Sequence, residues 1–409
     1  MKILITSILT IISQFAHGAE NWPRFRGPMG SGEIPAGVAL PKEWSPASAK
    51  WAAKLAGVGH SSPVIWERKI FVTSAGNGGA TRTLQCFDLH KGDELWKREI
   101  KSAKHKRHKF NSYATSTPAV DADHVYLLWG QPDRVLVIAY SHTGEEKWRK
   151  NLGKYKSGHG FGVSPIAADG KLIIANDQEA GNAIVALDTK TGEIAWTSKR
   201  SPKRATYSTP NLFPHDNADT EVIVTDWQQG ITAIDLTTGK QRWTRSVFDV
   251  DDKQRAISSP IIWDDLIIAT CGFAAGNRRL VAIKNGSDRP TLAFQLDDYI
   301  PHVPTPLAHD GRLYLWSESG IVSCYELPSG EPLYERERVP ARGKFFSSPI
   351  VIAGHIVNFS NDGDVIVLKA GDEFKLITEA KLPEPTQATP AAADGHLVIR
   401  TESKLLVFE

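Results

Sequence analysis

The chain has 409 residues, 41% of them hydrophobic and 23% charged, with a formal net charge of +2. That is the composition of a water-soluble globular protein long enough for a large core. The near balance of acids and bases excludes a dedicated nucleic-acid binder, which would carry a strong basic excess.

The opening segment MKILITSILTIISQFAHGAE has a basic start at Lys2, a short apolar run from Ile3 to Ile12 and small residues around Ala16-His17-Gly18. This is the pattern of a secretory signal peptide over residues 1–18, so the mature protein is expected to be periplasmic or secreted. The apolar run is too short to cross a bilayer, and no later run reaches the roughly 20 apolar residues of a spanning helix. No Cys lies near the expected cleavage point to accept a lipid. Residues 19–48 read as a lead-in segment and residues 49–409 as a single repeat domain.

A short signal, two small residues followed by Pro, recurs from Ser61-Ser62-Pro63 to Ala388-Thr389-Pro390 in eight copies, with 41 to 55 residues between successive prolines. Within a copy the order is constant. VSP is followed by IAADGKLIIAND, NAIVALDTKTG and EIAW, apolar β-branched runs separated by turn residues such as Asp169-Gly170. Four short strands at this period predict the blades of a β-propeller, all-β and eight-bladed, with seven blades as the alternative. Proline is tolerated at the first residue of a strand, and the Ser or Thr before it can bond nearby backbone where strands crowd a central channel.

A second signature, Gly-x-x-x-Trp, ends at Trp96, Trp148, Trp196 and Trp243, with Gly330 to Tyr334 as a weaker copy. The glycine permits the hairpin turn, and the indole on the fourth strand is expected to dock in the wedge between blades. The last copy, from residue 388 onward, holds only three strands, whereas AKWAAKL before the first copy places Trp51 like the other fourth-strand tryptophans. The N-terminal strand is therefore expected to complete the last blade and remove both sheet edges. Cys86 and Cys324 fall on equivalent third strands of separate blades and Cys271 on a second strand, so all three are expected to be buried free thiols.

The strand-initial Ser/Thr-Pro, the Asp-x-x-x-Gly turns (Asp188 to Gly192, Asp235 to Gly239) and Gly-x-x-x-Trp together resemble the pyrroloquinoline-quinone-like (PQQ-like) β-propeller repeat family. The segment NWPRFRGPMGSG, residues 21–32, is similar to the start of a group of exported bacterial members. The family includes quinone-dependent alcohol dehydrogenases, many with an adjacent Cys-Cys pair and a carboxylate and amide cluster for calcium. Here no cysteines are adjacent and no Cys-x-x-Cys-His haem motif exists, so PQQ with calcium is disfavoured and no cofactor is expected. It also includes the propeller lipoprotein of outer-membrane β-barrel assembly, a binding scaffold.

In a propeller the connections that enter the innermost strands converge on one mouth of the channel. Here they carry His60, Asn111 and Tyr113, His159, Tyr207, Arg255, Tyr299 and His302, with Phe345 and Phe346. Convergent polar and aromatic groups in a concavity define a candidate ligand site: rings stack on sugars, and Arg255 suits carboxylate or sulfate. The histidines come from blades one, three and six without compact spacing, so no metal is expected there. The connection KSAKHKRHKFNSY, residues 101–113, adds Lys104, Lys106, Arg107 and Lys109 as an anion-attracting lip.

These features favour a monomeric binding or scaffold protein for a glycan or protein partner, anionic in character. The alternatives are a carbohydrate-active enzyme with Tyr and His as acid and base, and a quinone-dependent dehydrogenase. The wedge role assigned to the tryptophans has a direct consequence: Trp196→Ala should lower stability by about 3–5 kcal/mol in chemical denaturation. An unchanged denaturation midpoint would remove that role.

Overall fold

The computed structural model describes residues 21–215, 218–248, 254–273, 276–286 and 289–409. The signal peptide read over residues 1–18 lies outside them. The strands form eight four-stranded antiparallel sheets, the blades of one propeller, with no α-helix among the described residues. Blades 1 to 7 span 64–101, 119–151, 166–199, 211–245, 261–296, 307–338 and 350–381. Blade 8 takes three strands from 391–408, and its outermost strand is Trp51–Lys54, paired with Lys404–Phe408 in the register Trp51 to Val407. The ring is thus closed by the strand from the other end of the chain, and seven blades are ruled out.

Burial follows the order of strands in each blade. In blade 3 the second and third strands, Lys171–Asp177 and Asn182–Asp188, are buried almost throughout, whereas the outer strand Ile194–Lys199 is largely exposed. The middle strands are covered on both faces by neighbouring blades, which is why they read as continuous apolar runs. Cys86, Cys271 and Cys324 are buried free thiols within this packing.

The indoles of Trp51, Trp96, Trp148 and Trp196 reach into the next blade and donate to the carbonyls of Leu89, His142, Thr189 and Leu236 at 2.8–3.0 Å. Each lies flat against that blade's turn glycine, as Trp148 does on Gly192. Trp148 and Trp196 are buried, while Trp51, Trp96 and Trp243 are half-buried. In blade 5 Phe294 occupies the corresponding place against Gly330, a substitution that a search for Trp passes over.

The repeated Ser/Thr-Pro has two roles at the channel. At seven of the eight joints the residue just before the Pro offers its hydroxyl to the backbone N–H of its counterpart in the preceding blade; the joint of blades 3 and 4 is the exception. Ser62 N donates to Thr117 Oγ1 at 3.0 Å and Thr117 N to Ser164 Oγ at 3.0 Å. The series resumes from Thr209 through Ser259, Thr305, Ser348 and Thr389, and returns from Thr389 N to Ser62 Oγ at 3.2 Å. These hydroxyls form a girdle around the channel. The prolines contribute carbonyls below it and bring no N–H that would need a partner.

The lead-in segment fills the channel. Trp22 pairs with Ile65 on the face away from the mouth, and two buried arginines follow. Arg24 donates to the Pro210 carbonyl and, at 2.6 Å, to Asn211 Oδ1. Arg26 donates to the carbonyls of Pro349 at 2.9 Å and Pro306 at 3.0 Å, so it joins blades 6 and 7. Gly30 and Gly32 stand where a Cβ would strike the guanidiniums of Arg24 and Arg26. Trp44 then packs on Phe359 and Phe408 at the blade 7–8 joint.

Burial pulls the Arg26 pKa down to about 9, which still leaves it charged at neutral pH. Its hydrogen bonds to carbonyls are therefore charge-assisted, about 1.5–3 kcal/mol each. Arg26→Met should cost at least about 3 kcal/mol, because carbonyls from two blades lose their donor. Arg26→Lys should recover less than half, since one ammonium lacks the planar fork. Equal denaturation midpoints for wild type and Arg26→Met would contradict the assignment.

Candidate functional site at the channel mouth

The connections between blades, and the turns between second and third strands, emerge on one face. There the girdle forms the floor of a cavity of about 490 Å³, through which Phe25 of the lead-in segment projects. His60, Asn111, His159, Tyr207, Arg255 and His302 all line it. Two residues expected beside them do not. Tyr113 is packed on Gly79 between Arg82 (4.8 Å) and Arg107 (5.0 Å), and its hydroxyl donates to the His105 carbonyl. Tyr299, with a left-handed backbone at φ +50°, is turned outward, 51% exposed, beside a shallower depression next door. Phe346 lines the cavity, whereas Phe345 is buried against Trp316.

The basic connection takes a different course from a lip. It crosses the mouth: His108 N donates to the His159 carbonyl at 3.0 Å, and Phe110 meets Phe346 with ring centroids 4.9 Å apart. His159 precedes blade 3 and Phe346 precedes blade 7, on opposite sides of the ring. Lys104, Lys106, Arg107 and Lys109 are exposed along this crossing, and none of them lines the cavity. Arg107 lies over the Tyr113 ring at 5.0 Å and Lys109 over Phe110 at 4.9 Å, both on the segment's own aromatics.

Three charged lining residues escape a reading confined to residues just before the prolines. Arg278 and Glu318 come from between second and third strands of blades 5 and 6, and Lys344 from the connection into blade 7. Glu318 is the one carboxylate among the described lining residues, and both its oxygens are engaged. Oε1 accepts from the N–H groups of His302 (2.8 Å) and Val303 (2.7 Å), and Oε2 accepts from Arg278 at 2.7 Å. With it among the described lining residues stand three cations, Arg255, Arg278 and Lys344.

The imidazoles of His60, His159 and His302 are neutral at pH 7. Burial, with Arg400 and Arg107 nearby, takes the His60 pKa down to about 3. Burial takes His302 to about 4, assisted by Arg278 and opposed by Glu318. His159 is lowered by burial, then by Arg255 and His108. Nδ1 of His159 and Nε2 of His302 are buried and make no hydrogen bond within the protein. Burial also raises the Tyr207 phenol, which stays protonated 2.6 Å from Ser157 Oγ.

With this geometry, the chain belongs to the family of the outer membrane protein assembly factor BamB, within the PQQ-like repeat propellers; the family's sequence pattern matches residues 80–333. It is 23% identical over 269 residues to BamB of Yersinia pestis, covering 63% of this chain and 64% of that protein. It is 29% identical over 180 residues to the serine/threonine-protein kinase AfsK of Streptomyces griseus, covering 43% of this chain but 20% of the kinase. The chain thus spans less than two thirds of either curated relative. Among solved structures, BamB from Moraxella catarrhalis superposes with a TM-score of 0.62 at 16% identity, over 87% of this chain and 97% of that one. A quinohemoprotein alcohol dehydrogenase from Comamonas testosteroni gives 0.64 at 13% identity, over 96% and 81%. At these identities the likeness is one of fold.

The quinone of such dehydrogenases, held with calcium, calls for a cluster of carboxylate and amide oxygens. Here the one carboxylate among the described lining residues, Glu318, is already taken by Arg278 and two backbone N–H groups, so the described donor set does not fit that group.

The depressed histidines set an acid limit on stability. The unfolded chain binds protons on them below pH about 6.5, whereas the folded mouth does so only near 3–4. Their contribution is therefore fully present above about 6.5 and declines as pH falls toward 4. His302→Gln should lose less stability than wild type between pH 7 and 4.5 in denaturant titrations. Parallel losses would show that His302 does not titrate this way.

Proposed function

We propose that this chain is an exported binding protein of the scaffold type that takes an anionic, hydroxyl-rich ligand, such as a uronate or sulfated glycan end, into the channel mouth. The observation that carries the reading is the composition of the cavity: among the described lining residues Arg255, Arg278 and Lys344 stand with a single carboxylate, Glu318, which Arg278 already engages. The bare nitrogens of His159 and His302 accept hydroxyl protons, and the faces of Phe346, Phe110 and Tyr207 suit a sugar ring. Export follows from the signal-like opening segment and agrees with relatives named for outer-membrane assembly. Those names also point to a protein partner, for which an acidic segment entering the same mouth is the counterpart.

Calorimetric titration with oligogalacturonate, a sulfated oligosaccharide, a neutral oligosaccharide and an acidic peptide tests this. Acidic glycans should bind, neutral ones should not, and Lys344→Gln with Arg255→Gln should weaken binding at least tenfold, about 1.4 kcal/mol. Binding by the acidic peptide alone would favour the protein partner. Binding of none of them, or binding unaffected by the two substitutions, would overturn the reading.

A further inference from the structure

Away from the mouth, a group of side chains meets where the ring closes. The turn after the third strand of blade 1 carries His90, and the first hairpin of blade 8 carries Asp394 and His396. Both turns emerge on the face opposite the mouth. The candidate ligand atoms of these three lie within 4.8 Å of one another. His90 Nε2 is 2.9 Å from Asp394 Oδ2, and the two imidazole centroids are 4.9 Å apart. Glu409, beyond the last strand, brings a carboxylate oxygen 4.0 Å from His396 Nε2.

We propose that His90, Asp394 and His396, with Glu409, form a site for a divalent transition metal of the zinc class that clasps blade 8 to blade 1. Two features of the group support a cation site. First, His396 Nδ1 lies against the Asp394 carbonyl. A carbonyl only accepts, so Nδ1 carries the proton and Nε2 is left as a bare lone pair aimed into the cluster. Ligating histidines are oriented in this way by a bond from the other ring nitrogen. Second, a cation already occupies the position: Lys50 Nζ sits 3.0 Å from His396 Nε2 and 2.7 Å from Glu409 Oε2. The ammonium stands in for the charge that this nitrogen and carboxylate would otherwise give to an ion. Lys50 and Asp394 are partly exposed, at 30% and 51% of their side chains, so the lysine can swing into solvent and an ion can enter.

Two imidazoles with carboxylates favour zinc, copper, nickel or cobalt over calcium or magnesium, which take all-oxygen sets. Tetrahedral ligands at about 2.0–2.2 Å from one ion lie closer together than 4.8 Å. Binding would therefore draw the two turns inward and tighten the joint at which Trp51 of the closing strand already rests on Gly92.

Titration of the untagged, chelator-treated full chain with cobalt, read by visible absorption, and with zinc, read by thermal shift, tests the site. One equivalent of cobalt should give the intense bands of a four-coordinate ion, and zinc should raise the melting temperature. His90→Ala should weaken binding at least tenfold, and Lys50→Ala should tighten it by removing the competing ammonium. The lysine effect is one that a merely structural role would not produce. Because His396 is buried, His396→Gln serves as the second ligand variant if the alanine fails to fold. No stoichiometric cobalt binding by either wild type or Lys50→Ala, or equal affinity in His90→Ala, would overturn the proposal. Glycan binding at the mouth is unaffected by either result, so the two readings fail separately.

Discussion

The structure depends on one constraint: eight first strands must meet around a narrow channel without leaving their N–H groups unpaired. A buried, unsatisfied backbone donor costs about 1–3 kcal/mol, and ring geometry forbids ordinary ladder pairing between blades at the axis. The girdle answers this. At every joint but that of blades 3 and 4, the Ser or Thr before a Pro lends its hydroxyl to its neighbour's N–H, and the Pro that follows has no N–H to satisfy. Three of those Pro carbonyls, of Pro210, Pro306 and Pro349, then accept from Arg24 and Arg26 of the lead-in segment. One dipeptide, repeated around the axis, thus sets the blade angle, the floor of the mouth and the lining of the plugged channel.

The electrostatics of the mouth follow from that arrangement. The floor is built of uncharged hydroxyls, so charge recognition falls to the walls. Their described residues include three cations and one carboxylate, and His60, His159 and His302 stay neutral because burial and nearby guanidiniums both oppose protonation. A bound anion would relieve that opposition and leave the imidazoles as acceptors or donors according to its needs. Phe25, rising through the girdle, keeps the floor apolar at its centre and prevents the cavity from continuing into a water-filled bore.

The fold was legible because its devices repeat in sequence: Ser/Thr-Pro marks each first strand, and Gly-x-x-x-Trp marks most fourth strands. Trp51 revealed the closing strand for the same reason. The site was legible only where residues flank that punctuation, as His60, His159, Tyr207 and His302 do. Arg278 and Glu318 sit at turns with no fixed spacing from any repeat signal, and only the antiparallel topology brings them to the mouth. Tyr113 and Tyr299 had the right spacing, but local forces turned them away: two arginines stack on the former, and a left-handed backbone swings out the latter. The cluster of His90 with His396 joins opposite ends of the chain, so no local spacing could reveal it. The channel plug was visible as N-W-P-R-F-R-G-P, but its meaning was not, since the carbonyls that it meets belong to blades 4, 6 and 7.

Two layers of the mouth differ sharply in what holds them. The girdle links the blades at every joint but that of blades 3 and 4, and the arginine plug adds bonds to blades 4, 6 and 7, so displacing any part of them disturbs the ring. Across the mouth the basic segment is attached by the His108 N–H, the Asn111 side-chain amide, the His108–His159 and Phe110–Phe346 ring pairs, and Lys344 over Phe110. An aromatic pair contributes about 0.5–1.5 kcal/mol and each hydrogen bond about 1 kcal/mol. Parting Phe110 from Phe346 therefore lies at the low end of the molecule's opening free energies and leaves every girdle link intact. The mouth thus has a rigid floor beneath a lightly held, cationic cover, and the cover can part without any blade having to move.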